Sequence, residues 1–550
     1  MRKKHFLFAS VLALLCGSST LHAQDFKLTS SGYFKNQGVD VMAFDDIYPE
    51  GHQGGVCIIM NGHRVATNGD IRLEATPGQW QPVPKQLDRK LGDNSITATL
   101  CYPDSSRHLT GFNPMIYPDL HLIYTVNVES KGKNIEVTVD LDRPIPQEFI
   151  GKVGFNLEFF PGSLFGKPWI MDGQSGIFPQ QPNSPLMTTQ PNYLHTGNYH
   201  DGKKSLADMD KLIGKGYSPI VADDIISEPY AKGTKFTSRP DDPYNKVTIE
   251  SLSGDLQLFD GRMNHNNGWF VLRSNIKPGV TKGAVKWIIT PNVVADWMYQ
   301  PVIQTSQIGY HPTQDKEAVI EMDIRDNRKE TAQIIRIDAD GEKVVKNVTP
   351  ANWGKFLRYN YLKVNFTDVK EPGLYKIKYN TSVSPIFRID NDVYARGVWQ
   401  PVLEYFLPVQ MCHMRVNEKY RVWHDCCHMD DAQMAPAHNH IDGYDQKEGL
   451  SKFKPGEVVP GVNIGGWHDA GDFDLRIESQ AGESYILALA YEAFHPNLDV
   501  TSIDQINRVT EIHQPDGKND LLQQVENGAL TVVNGYLALG RLYRGIICND

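Results

Sequence analysis

A chain of 550 residues, 40% apolar and 22% charged, has an ordinary globular composition and is too long for one core, which rarely grows past about 250–300 residues. Its formal net charge of −10 leaves no basic footprint, which argues against nucleic acid and anionic membrane as partners while leaving a neutral polymer compatible. Seven cysteines without even framework spacing argue against a disulfide scaffold.

Arg2, Lys3 and Lys4 precede an apolar run from Phe6 to Cys16, and Leu21-His22-Ala23 offers a small residue before a cut. This is the pattern of a secretory signal peptide over residues 1–23. The run is shorter than the roughly 20 apolar residues that spanning requires, and no later stretch reaches that length, so no transmembrane segment is expected. The mature chain is expected to be secreted, periplasmic or at the cell surface. A lipid anchor on Cys16 stays open, although Leu15 suits a lipidated cysteine poorly.

Residues 24–302 carry β-type patterning. The runs 120–128 and 134–141 alternate or run apolar around Lys131-Gly132-Lys133 and predict a hairpin. Similar short runs at 56–60, 96–101, 247–252, 269–272 and 284–289 predict one large β-sandwich-like domain of unassigned role. Trp80, Trp169 and Trp269 are candidates for stacking on sugar rings, weighed against ordinary burial.

A second unit is expected over 303–390. It opens on Gln307-Ile308-Gly309-Tyr310-His311-Pro312, its runs 318–322, 332–337 and 374–379 alternate cleanly, and Glu371-Pro372-Gly373 marks a turn. A small antiparallel sandwich is predicted.

From 391 to 550 the apolar period shifts from two toward 3.6. Val398, Val402, Tyr405, Phe406 and Val409 predict a first helix. Around Ile486, Leu487, Leu489, Ala490, Tyr491, Ala493 and Phe494 a second is apolar nearly all round, as a helix buried on both sides would be. Asn519-Asp520 predicts the cap of a third, with a stripe of Leu522, Val525, Ala529, Val532, Val533 and Tyr536. Gly528 and Gly535 inside it each cost about 1 kcal/mol relative to Ala, so close helix contacts are expected there.

Chemistry concentrates in Gly465-Gly466-Trp467-His468-Asp469-Ala470-Gly471-Asp472-Phe473. Two carboxylates three residues apart suit a general base or a bound cation such as Ca2+; the same spacing also suits an acidic turn capping the next helix. Upstream stand Cys412 and the run Asp425-Cys426-Cys427-His428-Met429-Asp430-Asp431. Thiols and imidazoles of this kind suit tetrahedral zinc, with His413, His424, His438 and His440 as rival donors and buried thiols as the alternative.

The 465–473 string resembles the signature of glycoside hydrolase family 9, the inverting cellulase-type enzymes, and the 303–390 unit resembles the immunoglobulin-like module preceding the catalytic domain in one branch of that family. The resemblance implies that Asp472 is the general base, that Asp469 helps hold the hydrolytic water, and that a separate Glu near the domain's C-terminus is the acid, about 6.5–9.5 Å away. It implies that 391–550 is the N-terminal part of an (α/α)6 toroid. It further implies a structural zinc ion on Cys412, Cys427, His428 and His468. Trp467 and Phe473 are candidate substrate contacts. Where family members continue with Gly-Lys-Tyr, this chain has Asp474-Leu475-Arg476. Arg476 would lie about one helical turn beyond the base if a helix has begun, placed for an anionic sugar or else for solvent.

A toroid of about twelve helices needs more than 391–550 supplies, so the general-acid half is expected to be missing, the chain by itself to be inactive, and apolar faces at 483–494 and 519–540 to be exposed. The favoured function is an exported hydrolase of β-linked glucan-type polysaccharide or oligosaccharide. A non-catalytic carbohydrate-binding surface protein is the alternative. A zinc hydrolase is disfavoured because four protein ligands leave no position for water.

Overall fold

The structure, a computed structural model, describes residues 25–45, 54–74, 76–77, 84–102, 120–183, 227–263, 268–411, 413–429, 432–434, 449, 451–468, 475–543 and 546–547. The chain divides into two compact units, one of residues 1–109 and 117–298, the other of 110–116 and 299–550.

Alternation of apolar and polar residues builds the first unit. Strands β1 (His63–Leu73), β2 (Ile123–Lys131), β3 (Asn134–Leu141), β4 (Val153–Phe159), β5 (Phe270–Asn275) and β6 (Val285–Pro291) belong to two nine-stranded antiparallel sheets among the described residues. The expected hairpin is there: β2 and β3 pair from Tyr124↔Leu141 to Lys131↔Asn134, and Gly132 takes the positive φ of 67° that the turn needs. In both strands every second residue is buried, as a half-buried strand requires. Those residues feed a core in which Phe155 meets Trp287 edge to face at 4.9 Å. Trp169 belongs to this core, which removes it as a sugar platform. Trp269 packs edge-on against Phe160, and Trp80 lies outside the described residues.

The same unit buries charge. Arg273 donates to Glu74 Oε1 and Asn156 Oδ1, both at 3.1 Å, and Asn156 Nδ2 donates to the same Glu74 oxygen at 2.6 Å. Burial nonetheless pushes the Glu74 carboxyl up to about 7, against the pull of Arg273 and Arg72.

In the second unit β7 (Glu317–Asp323), β8 (Ala332–Asp338), β9 (Gly341–Val348), β10 (Ala351–Phe356), β11 (Tyr359–Asn365) and β12 (Gly373–Tyr379) are the longer strands of an immunoglobulin-like sandwich of a four-stranded and a five-stranded sheet, which three shorter strands complete. Tyr310 of the Gly309-Tyr310 opening is buried against Phe366 and Phe387, and its hydroxyl accepts from Ser306 N at 2.9 Å and donates to Glu317 O at 3.2 Å.

Beyond it come α1 (Gln400–Val409), β13 (Arg415–Glu418), β14 (Arg421–His424), α2 (Ile477–Phe494), β15 (Thr501–Asp504), β16 (Val509–Ile512) and α3 (Asp520–Leu539). The described part of this region is therefore three helices around a small sheet in which β13 and β16 run parallel. The expected helices exist, but their buried faces differ from the expected ones. In α1, Leu403 and Leu407 face inward while Val402 is 62% exposed. In α2 only Gln480 and Leu487 are buried; Ile486 is 62% and Phe494 81% exposed, which overturns the expectation of a helix covered on both sides. In α3 the buried face is largely polar and small, through Gln524, Asn527, Gly528, Thr531 and Gly535, while Leu522, Val533 and Tyr536 face out. The reason is that each helix is apolar or neutral on more than one side, and neighbours decide which side is used.

Candidate functional site

The residues leading into the acidic string are held by side-chain amides. Gly466 N donates to Asn527 O at 2.7 Å and Asn527 Nδ2 donates to Gly466 O at 3.0 Å. Trp467 N donates to Gln480 Oε1 at 2.8 Å, and Gln480 Nε2 returns a bond to Trp467 O. His468 N donates to Gln410 O at 2.9 Å and Gln410 Nε2 donates to His468 O at 3.2 Å. Gln410 caps α1, Gln480 lies in α2 and Asn527 in α3, so one residue from each helix brackets one residue of the string. A buried backbone segment outside regular structure must find such partners, and here it finds them two at a time.

Glycine makes the fit possible. At Gly465 a Cβ would strike Asn527 O, and at Gly528 it would strike Trp467 and Ser484, so α3 approaches both the string and α2 only because these positions lack side chains. Close contact at Gly528 is what the sequence led one to expect. At Gly535 the neighbour is Tyr543.

Trp467 is 1% exposed, in a cluster with Leu403, Leu407 and Leu487 and 5.8 Å from the Phe406 ring. Its indole therefore serves the core, where a substrate contact was expected. Arg476 is the N-cap of α2, in extended conformation with ψ 129°, so the helix starts after it and not before it. Asp469, Asp472, Phe473 and Cys412 lie outside the described residues.

The remaining proposed metal donors gather at the string's start. His428 and His468 have ring centroids 5.3 Å apart, and His413, one of the rival donors, stands 5.3 Å from His468 on the other pairing. His413 and His428 both take positive φ, 62° and 50°, which turns the chain sharply at each imidazole. Cys427 Sγ lies 4.0 Å from His424 Nδ1, and this contact holds the His424 imidazole pKa above its ordinary value. Thiols and imidazoles of this kind are donors that suit zinc. Among the described residues no group of three such side chains converges tightly enough to hold a metal ion.

Gln410, Gln480, Asn527 and Arg508 escaped the reading of the sequence. Only Asn527 had a signal, the polar and small stripe of α3 at 524, 527, 528, 531 and 535, a helical spacing as regular as the apolar one beside it.

Fold and site together define a β-rich multidomain protein, with an immunoglobulin-like sandwich followed by a region whose described part holds three helices. Residues 298–384 match the family model of the cellulase N-terminal Ig-like domain. Among solved structures the chain is similar to a metagenome-derived glycoside hydrolase family 9 endoglucanase, with 23% identity over 42% of this chain and 40% of that one, TM-score 0.32. It is also similar to a Zn-binding triple mutant of the family 9 endoglucanase J30, with 22% identity over 41% and 38% and TM-score 0.30. A third similar structure is the Bacteroides ovatus family 9 protein, with 20% identity over 42% and 39% and TM-score 0.30. The chain thus spans about two fifths of the length of these structures. No curated protein matches it. Among the described residues no helix is long and apolar enough to cross a membrane.

Proposed function

We propose that this chain belongs to an exported glycoside hydrolase that cleaves β-linked glucan-type polysaccharide or oligosaccharide with inversion. The observation that carries the reading is the succession of a cellulase-type Ig-like module over 298–384 and, after it, the Trp467-His468-Asp469-Ala470-Gly471-Asp472 string entering from a backbone clamped on three helices. Rigid entry suits a general base, because a base must be held within hydrogen-bond reach of the water it deprotonates. In this reading Asp472 takes the proton of the hydrolytic water and Asp469 fixes that water's orientation. A separate, unassigned carboxylic acid protonates the glycosidic oxygen. The helical region is read as part of an (α/α)6 toroid, and residues 1–23 as the signal that exports it.

Cys412, Cys427, His428 and His468 are proposed to hold one zinc ion. Bound there, zinc would supply structural cross-linking with no open position for water. His468 directly precedes Asp469, so fixing its imidazole also fixes the start of the acidic loop.

The test is incubation of the protein expressed from its native gene with β-glucan, xyloglucan and cello-oligosaccharides, following the anomer released by NMR, beside Asp472→Asn. Inverted product and a loss of about 10²–10⁴ in rate in the variant are expected. Retained configuration, or unchanged rate in D472N, would overturn the assignment.

A further inference from the structure

Arg508 stands at the end of the turn between β15 and β16, where it touches every loop that leads to the proposed metal donors. The turn itself is fixed by Asp504, whose carboxylate accepts Ile506 N and Asn507 N, each at 2.9 Å, and Asn507 Nδ2 at 2.7 Å. Arg508 follows with a positive φ of 55°. That conformation is uncommon for a residue with a Cβ and throws its side chain out of the register of β16.

Its Nη1 donates to His413 O at 3.2 Å and to Asn463 O at 3.0 Å, and lies 3.8 Å from Met429 Sδ. Its own carbonyl accepts Arg415 N at 2.8 Å and lies 3.9 Å from Cys426 Sγ. In sequence these partners adjoin the donors: His413 follows Cys412, Met429 follows His428, Cys426 precedes Cys427, and Asn463 opens the approach to His468. Three segments separated by many residues are thus joined at one nitrogen of a planar, permanently charged guanidinium. A lysine ammonium, a compact point charge on a flexible stem, keeps the charge but places its donors differently.

We propose that Arg508 is a positioning residue that sets the mutual geometry of the 413–414, 425–429 and 461–468 segments, and so of the proposed zinc donors Cys427, His428 and His468. The metal part rests on the zinc reading above; the loop-positioning part does not. Groups that orient metal ligands from outside the ligand set are typically worth 10–100-fold in metal affinity.

The experiment compares the full chain with Arg508→Ala and Arg508→Lys. Zinc content, the rate of zinc transfer to a chromogenic chelator, the thiolate-to-cobalt charge-transfer band after cobalt substitution, and amide exchange of the three loops are measured. R508A is expected to release zinc about tenfold faster, to shift the cobalt band, and to exchange faster in all three loops while the strands of the Ig-like sandwich stay unchanged; R508K should fall between. Zinc release, cobalt band and exchange all equal to wild type in R508A would overturn the proposal. A wild type without zinc would refute the zinc reading alone, and exchange would still decide the role of Arg508: faster in the three loops upholds it, unchanged refutes it. If R508A does not fold, R508K carries the comparison, and R508K indistinguishable from wild type in every readout overturns the inference.

Discussion

Gly528 shows how a single missing side chain fixes the approach of two helices and the string between them. An exposed glycine in a helix interior is normally improved by alanine by about 1 kcal/mol. At Gly528 the added Cβ would run into Ser484 Oγ and the buried Trp467 ring. Overpacking of this kind typically costs 1–3 kcal/mol, so the strain should exceed the propensity gain. Gly528→Ala is therefore expected to lower the urea midpoint of the transition that reports Trp467 fluorescence; a higher midpoint would mean that α3 can shift away from Trp467. The sequence exposed the anomaly, two glycines in an otherwise regular helix. It could not reveal the partner, because Trp467 lies 61 residues away and meets Gly528 only through the tertiary fold.

At the scale of elements, helices were legible and their orientation was not. Asn519 caps α3 as its sequence announces, accepting Leu521 N at 3.1 Å and Leu522 N at 3.4 Å. Yet α3 turns its Gln524-Asn527-Thr531 face inward, since these side chains satisfy the carbonyls of Leu403, Gly466 and Val462, which a leucine could not. Apolar residues on other sides of the two helices are exposed: Tyr536 and Leu537 on α3, Tyr485, Ile486 and Phe494 on α2. Exposed apolar groups clustered on neighbouring helices favour association. Phe494→Ser combined with Leu537→Ser should lower binding of a hydrophobic dye and shift the chain toward the monomer in sedimentation. No change in either would show that these faces do not drive self-association.

At the scale of the whole molecule, each of the two units carries, among the described residues, a buried carboxyl whose folded state prefers the proton. Burial raises Glu74 in the first unit from 4.5 to about 7, and burial raises Asp520 in the second from 3.8 to about 6, even though Val500 N and Thr501 N donate to it. For a carboxyl raised in the folded state, the folded form binds more protons between the two values. The stabilisation is full below the unfolded value and is lost as pH rises through the folded one. Calorimetry should therefore resolve two transitions, both falling with rising pH, one over about 4.5–7 and the other over about 3.8–6. Glu74→Gln should flatten only the first and Asp520→Asn only the second. A variant that flattens both, or neither, would refute the assignment.

By itself the sequence determined the alternating strands, the 131–134 hairpin, the immunoglobulin-like sandwich and the three helices, because period, turn chemistry and capping act over a few residues. Only the tertiary structure decided that Trp467 is core, that Arg476 precedes its helix, and that polar faces of α2 and α3 turn inward to hold the string. Those outcomes depend on backbone groups distant in sequence: a buried carbonyl needs a donor, and the donor that reaches it, here Gln410, Gln480, Asn527 or Arg508, is selected by geometry that no local pattern encodes.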